Sequence, residues 1–198
     1  MDNRISELIC TRLSHDIVGN VGAVANAVEL LEEGDMDFLD DIKSILKTSS
    51  GVLSARLKFF RMAFGLGNTN IADTENLKSV ISSYLATVGG KTPPYADFAT
   101  INPCHARAIM LLVMSVADIL IRGGKISINS NSTQTFVSVD ADARIASDKF
   151  SQMMNALQNG AAEVGADMAP ILYLQEVCRH QGLKLSCSTN PCLCFILE

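Results

Sequence analysis

The chain has 198 residues, is 48% hydrophobic and carries a formal net charge of -5 at pH 7. That length and apolar content suffice to bury a core in one large domain or two small ones. The charge argues against nucleic acid as a partner, since phosphate backbones need concentrated positive charge and the Lys and Arg residues here stand isolated.

Residues 4 to 33 read as a first helix. Apolar side chains recur at Ile9, Leu13, Ile17, Val21, Val24, Val28 and Leu31, in the steps of three and four that make one helical stripe. His15 lies two residues from both Leu13 and Ile17, so it should stand on the opposite face, in water. Gly34-Asp35 forms a turn. Residues 36 to 64 read as a second helix, with Ile42, Leu46, Leu53, Leu57, Phe60 and Phe64 on one side and Gly65 and Gly67 ending it. Each helix would run roughly 45 Å. A lone hairpin cannot hide both stripes, whereas two hairpins paired as a four-helix bundle can. A homodimer is the expected assembly.

The remainder alternates. A helix is expected from Leu77 to Val88, with Asp73 and Thr74 as possible caps. A loop follows at 89–94, then a short strand near Tyr95 to Thr100. Pro103 opens another helix that runs to about Ile121. Gly123-Gly124 turns the chain into strands Lys125–Asn129 and Thr135–Asp140. A helix near Phe150 to Leu157, another from Pro170 to Gln181, and strands Leu183–Ser188 and Leu193–Leu197 complete the order. The apolar runs, 108–114 among them, are too short to span a bilayer, and the first residues hold no apolar signal core. A cytoplasmic protein is expected. In that setting the six cysteines read as small buried apolar side chains rather than disulfides or zinc ligands. His105 and His180 read as structural or solvated.

The stretch Arg12-Leu13-Ser14-His15-Asp16, with Ala23, Glu29-Leu30-Leu31-Glu32 and Phe60-Arg61-Met62-Ala63-Phe64-Gly65, resembles bacterial histidine phosphotransferases of the ChpT type. The order of helices, with Ile121-Arg122-Gly123-Gly124-Lys125 at a helix-to-strand junction, is also similar. The resemblance spans nearly the whole chain, but its specific motifs lie in the first third. Asn20 departs from it, because histidine kinases and many of their relatives have proline there. That leaves the first helix straighter, since proline kinks helices.

The resemblance implies an α+β fold. A helical hairpin, 1–68, would form the dimeric bundle and carry phosphotransfer. An α/β sandwich, 69–198, would be a degenerate version of the histidine-kinase ATPase domain. It implies a relay in which His15 takes phosphoryl groups from receiver-domain aspartates and passes them on. The partners would be the receiver domains of a hybrid histidine kinase and of response regulators. No cofactor is expected on this chain, and magnesium is expected on the partner receiver.

The chemistry suits the residues. Histidine titrates near 6.5 in general, which leaves neutral imidazole as a nucleophile at about pH 7. Asp16 is placed to orient the ring or take its proton. Arg12, one turn earlier, would help neutralise a phosphoryl group. Val18, Gly19 and Gly22 flank His15 and suit docking of a receiver helix. Counting back from the turn puts Ser54, Lys58 and Arg61 near the same level as partner contacts. The resemblance also implies where an ATP site of the histidine-kinase type would lie, on an Asn-rich helix and Asp-x-Gly-x-Gly loops; none is expected here, because the corresponding helix 111–118 has no asparagine and 140–144 has no glycine. Two alternatives stay open: a non-catalytic dimeric adaptor that docks response regulators, and an active sensor histidine kinase core.

Overall fold

The structure is a computed structural model that describes residues 3–34, 38–65, 73–160 and 164–198. It opens with two long helices, α1 (Asn3–Glu32) and α2 (Leu39–Phe64), packed as a hairpin. Acids Asp40 and Asp41 sit in the first turn of α2 and Arg61 in its last, each matched to the helix dipole. Gly65 follows α2 as its C-cap, with its amide on the Arg61 carbonyl. The expected contributions of Asp35 and Gly67 lie outside the described residues. So do the first two residues of the expected second helix and the boundary expected at 68/69.

Helix α3 spans Thr74–Leu85, three residues earlier than expected. Asp73 causes that shift, because its side chain accepts from the amides of Glu75 and Asn76, both at 3.1 Å, and so caps the helix. Strand β1 (Pro94–Phe98) precedes a 3-10 turn at Pro103–His105, which leads into α4 (Ala106–Ile119). Then come β2 (Gly124–Ser130), β3 (Thr135–Val139), α5 (Ser147–Asn159), α6 (Ala169–Gln181), β4 (Leu185–Ser188) and β5 (Cys194–Leu197). Gly123 makes the turn into β2 with φ of 70°. An added Cβ there would meet the Thr92 carbonyl oxygen at 2.6 Å, so the bend needs glycine.

The five strands form one mixed sheet in the order β1-β2-β3-β5-β4, with β1 and β2 parallel and the rest antiparallel. Ile126 pairs with Val139, Ile128 with Val137 and Val137 with Phe195. All five are buried on one face, as the period-two alternation requires. Helix α4 is buried on nearly every side, from Ala108 to Ala117 without a break. A helix apolar all round belongs in the interior, and α4 provides the parallel crossover between β1 and β2.

The hairpin is rooted in this core at its open end. Phe59, Phe60, Met62 and Ala63 of α2 and Ile5 and Ile9 of α1 join the same buried cluster as α3 and α4. The architecture is therefore α+β, an N-terminal helical hairpin on a helix-and-sheet layer. The apolar stripe expected on α1 is divided. Ile5, Ile9 and Ala27 are buried, but Val21 and Val28 remain 52% and 42% exposed. On α2, Ile42 and Phe60 are buried while Leu57 is 53% exposed. Each helix turns one side to its own chain and leaves an adjacent apolar side uncovered. The cysteines differ from expectation too: only Cys178 is buried, while Cys10 and Cys104 are exposed.

Candidate functional site

His15 sits in the middle of α1 with its side chain 84% exposed. Its helical neighbours Val18, Gly19 and Gly22 are exposed as well and lie at the three-, four- and seven-residue spacings that share its face. An added Cβ at Gly19 or Gly22 would meet nothing within 4 Å. No packing inside the chain therefore requires these glycines, and they leave bare backbone beside the imidazole.

Asp16 turns the other way. Its Oδ2 accepts from Arg12 Nε at 2.8 Å, and its Oδ1 lies 3.6 Å from His15 Nδ1. That separation is longer than a hydrogen bond, though such contacts commonly tighten when a partner is bound. With Nδ1 facing Asp16, Nε2 is the ring nitrogen left for an incoming group.

Arg12 does not occupy the place expected for it. It is 7% exposed, with Nη2 donating to Asp118 Oδ1 at 2.8 Å and Nη1 3.5 Å from Asp167. Burial works against its charge, but Asp118 and then Asp16 outweigh that and hold the guanidinium above its ordinary range. A cation engaged by three carboxylates inside the chain is not free to meet a phosphoryl group. The spacing Ile5, Ile9, Arg12, Asp16 explains its burial: the steps of four, three and four put Arg12 on the side of α1 that packs inward.

Besides Asp167, two residues that sequence reasoning missed complete the surroundings. Arg56 of α2 donates to the Asp16 carbonyl, and also to the Thr87 carbonyl at 3.0 Å and hydroxyl at 3.2 Å. It brings the middle of α2 to the level of His15, as counting back from the turn anticipates. Asp118 lies in the last turn of α4 and is the second missed residue. Its one signal in the sequence is a single acid closing a long apolar helix. Burial pushes its carboxyl upward, against the pull of Arg12, and its Oδ2 is buried with no hydrogen-bond partner.

Ser54, Lys58 and Arg61 are exposed on α2. Their spacing of four and three residues sets them along one side of the helix. Arg61 also borders an apolar groove with Leu13, Ile17, Leu57, Phe60 and Phe64. His105 is apart from this region. It is buried, with Nδ1 2.8 Å from Thr135 Oγ1, which in turn lies 2.7 Å from Ser130 Oγ. Burial lowers its pKa from 6.5. Among the described residues, no three His, Cys, Asp or Glu side chains come together to hold a metal, and no helix is long and apolar enough to cross a membrane.

Comparison with known proteins bears on this geometry. Residues 75–191 match the family model of the histidine phosphotransferase C-terminal domain. Over 82 residues the chain is 42% identical to protein phosphotransferase ChpT of Brucella abortus (strain 2308), an alignment that covers 40% of this chain and 38% of that protein. The chain thus matches well under half the length of that relative. A solved bacterial phosphotransferase superposes with a TM-score of 0.76 at 24% identity, over 100% of this chain and 97% of the other, and shares the fold.

Proposed function

The chain belongs to the histidine phosphotransferase family, and we propose that it relays phosphoryl groups between receiver-domain aspartates through Nε2 of His15. The observation that carries this reading is the pairing of an 84% exposed imidazole with a carboxylate facing its Nδ1 at 3.6 Å.

The neutral ring attacks the phosphorus of an aspartyl phosphate with the Nε2 lone pair. The bond from phosphorus to the receiver carboxyl oxygen breaks and the carboxylate leaves. An N–P bond forms, and Nδ1 keeps its proton, so the ring becomes cationic. Asp16 stabilises that cation, and the same steps in reverse deliver the group to a second receiver. Phosphoryl transfer rests mainly on positioning and charge stabilisation. Charge on the phosphoryl oxygens would be met by magnesium held on the receiver. From this chain, Lys58 and Arg61 are the exposed cations offered on the second half of α2, because Arg12 is engaged internally. Val18, Gly19, Gly22 and Ser54 form the rest of the contact surface.

Two further features belong to the reading. The uncovered stripe of Val21, Val28 and Leu57 pairs with its counterpart in a second copy, giving a four-helix bundle with both His15 residues outward. The helix 111–118 is buried from Leu111 to Ala117, and its two polar side chains are taken up within the chain, Ser115 by the Leu111 carbonyl and Asp118 by Arg12, so the domain acts without ATP. The protein is placed in the cytoplasm, where receiver domains are found.

The test is incubation with phosphorylated receiver domains. An acid-labile, base-stable label on the parent that is absent from His15→Ala supports the relay. A protein that binds receivers but takes up no label is an adaptor instead, and one labelled from ATP alone is a kinase.

A further inference from the structure

We propose that Asp118 is a positioning residue for the phosphoacceptor: acting through Arg12, it fixes the Asp16 carboxylate against His15. The inference rests on His15 as the phosphoryl acceptor and adds a residue 103 positions further along the chain.

The geometry is a continuous line from the buried α4 to the surface of α1. Asp118 Oδ1 accepts from Arg12 Nη2 at 2.8 Å, and Arg12 Nε donates to Asp16 Oδ2 at 2.8 Å. Asp16 Oδ1 then faces His15 Nδ1 at 3.6 Å. A guanidinium is planar and rigid, so anchoring one nitrogen sets the direction of the others. With Nη2 held by Asp118, the Nε–H bond points at one oxygen of Asp16 and leaves the second oxygen facing the histidine. Arg56 fixes the same residue from the other side, through its carbonyl. Asp16 is thereby held at both backbone and side chain.

Stability alone gives a poor account of Asp118. A carboxylate in the last turn of a helix opposes the helix dipole, and α4 ends at Ile119. The second oxygen, Oδ2, is buried and unpartnered, a costly state for a polar atom. Buried ion pairs are in general weak contributors to stability compared with apolar side chains of similar size. What the arrangement does achieve is orientation of a group whose far end touches the reactive ring. Asp118 is engaged by Arg12 and leaves only 12% of its side chain exposed, too little to serve as a docking surface for a receiver. Its loss should slow transfer and leave receiver binding alone.

The experiment compares full-length parent, Asp118→Asn and Arg12→Lys in phosphoryl transfer from a phosphorylated receiver at varied receiver concentration. Asp118→Asn keeps the shape and removes the charge, while Arg12→Lys keeps the charge and removes the fork. Both should lower kcat roughly tenfold or more with KM within about twofold of the parent. Nitrogen NMR of His15 supplies a readout that a purely structural role would not move. The parent should show the tautomer with the proton on Nδ1, and both variants should shift toward the proton on Nε2. A parent already protonated on Nε2 would overturn the proposal, as would variants with the parent's kcat and tautomer. Loss of kcat with a matching rise in KM and a lowered Tm would make Asp118 structural only. If Asp118→Asn does not fold, Arg12→Lys and the parent spectrum decide. A parent that takes up no label sinks the acceptor role of His15, whereas a labelled parent matched by Asp118→Asn sinks this inference alone.

Discussion

Phe59 of α2 stacks on Tyr84 of α3 with ring centroids 3.9 Å apart and planes inclined by 18°. Both rings are buried, Phe59 at 0% exposure and Tyr84 at 1%. Phe60 adds an edge-on contact to Tyr84 at 6.1 Å. This stack is one of the contacts that fasten the hairpin to the rest of the chain, beside the burial of Ile5, Ile9, Met62 and Ala63. Phe59→Ala should cost about 3–5 kcal/mol, the transfer and cavity penalty of a large buried ring. Denaturant unfolding with an unchanged m-value would measure it, and a loss below about 1 kcal/mol would mean the hairpin is anchored elsewhere.

His15→Ala should fold as the parent does, with a stability change within about 0.5 kcal/mol, because the side chain is solvated and spans no internal contact that packing depends on. It should accept no phosphoryl group. A variant that unfolds would place His15 in the core, and one that accepts label as the parent does would remove it from the relay.

Gly19→Ala and Gly22→Ala should each raise stability, by up to about 1 kcal/mol, since both glycines lie inside α1 with open space around a Cβ. If bare backbone is needed for a receiver helix to approach His15, the same variants should raise KM for the phosphorylated receiver. Stabilised variants with unchanged KM would show these positions to be tolerant rather than part of a docking face.

The parent should have a dimer's mass by light scattering at micromolar concentration. Leu57→Asp and Val21→Asp place charges on apolar side chains that are half-exposed in a single chain. Burying a charge in a bundle interface is strongly unfavourable. Both variants should therefore become monomeric with helical content retained. A monomeric parent, or variants that remain dimers, would refute the bundle.

Burial lowers the pKa of His105 below 6.5, so between 6.5 and that lower value the unfolded chain binds more protons than the folded one. The sign follows: stability is full above 6.5 and falls as pH drops through that window. His105→Gln should flatten the dependence of Tm on pH from 7 to 5. Thr135→Val should cost about 1–3 kcal/mol at neutral pH, because it strips both His105 and Ser130 of a buried partner. A Tm that is as steep in His105→Gln as in the parent would assign the dependence to other groups.

The element order was legible from periodicity and punctuation. The apolar steps of α1 and α2, the Gly123-Gly124 turn and the alternation in β2 and β3 are local signals, and the observed boundaries differ from them by a few residues. Asp73 and Pro103 account for two of those differences, one by capping α3 early and the other by starting with a 3-10 turn. The exposure of His15 was also local, because two apolar neighbours at two-residue spacing leave it only one face. The fate of Arg12 was not. Whether an arginine on α1 is a surface cation or a buried hub depends on which side of the helix the rest of the chain covers, and that is settled by α4 and the 166–168 turn, more than 100 residues away. Asp118, Asp167 and Arg56 entered the site for the same reason. Hydrophobic periodicity fixes a helix and its inward face, but which acid meets which guanidinium is decided only when separate elements pack. Burial then makes the pairing of Arg12 with Asp118 obligatory, because either charge left alone there would be uncompensated.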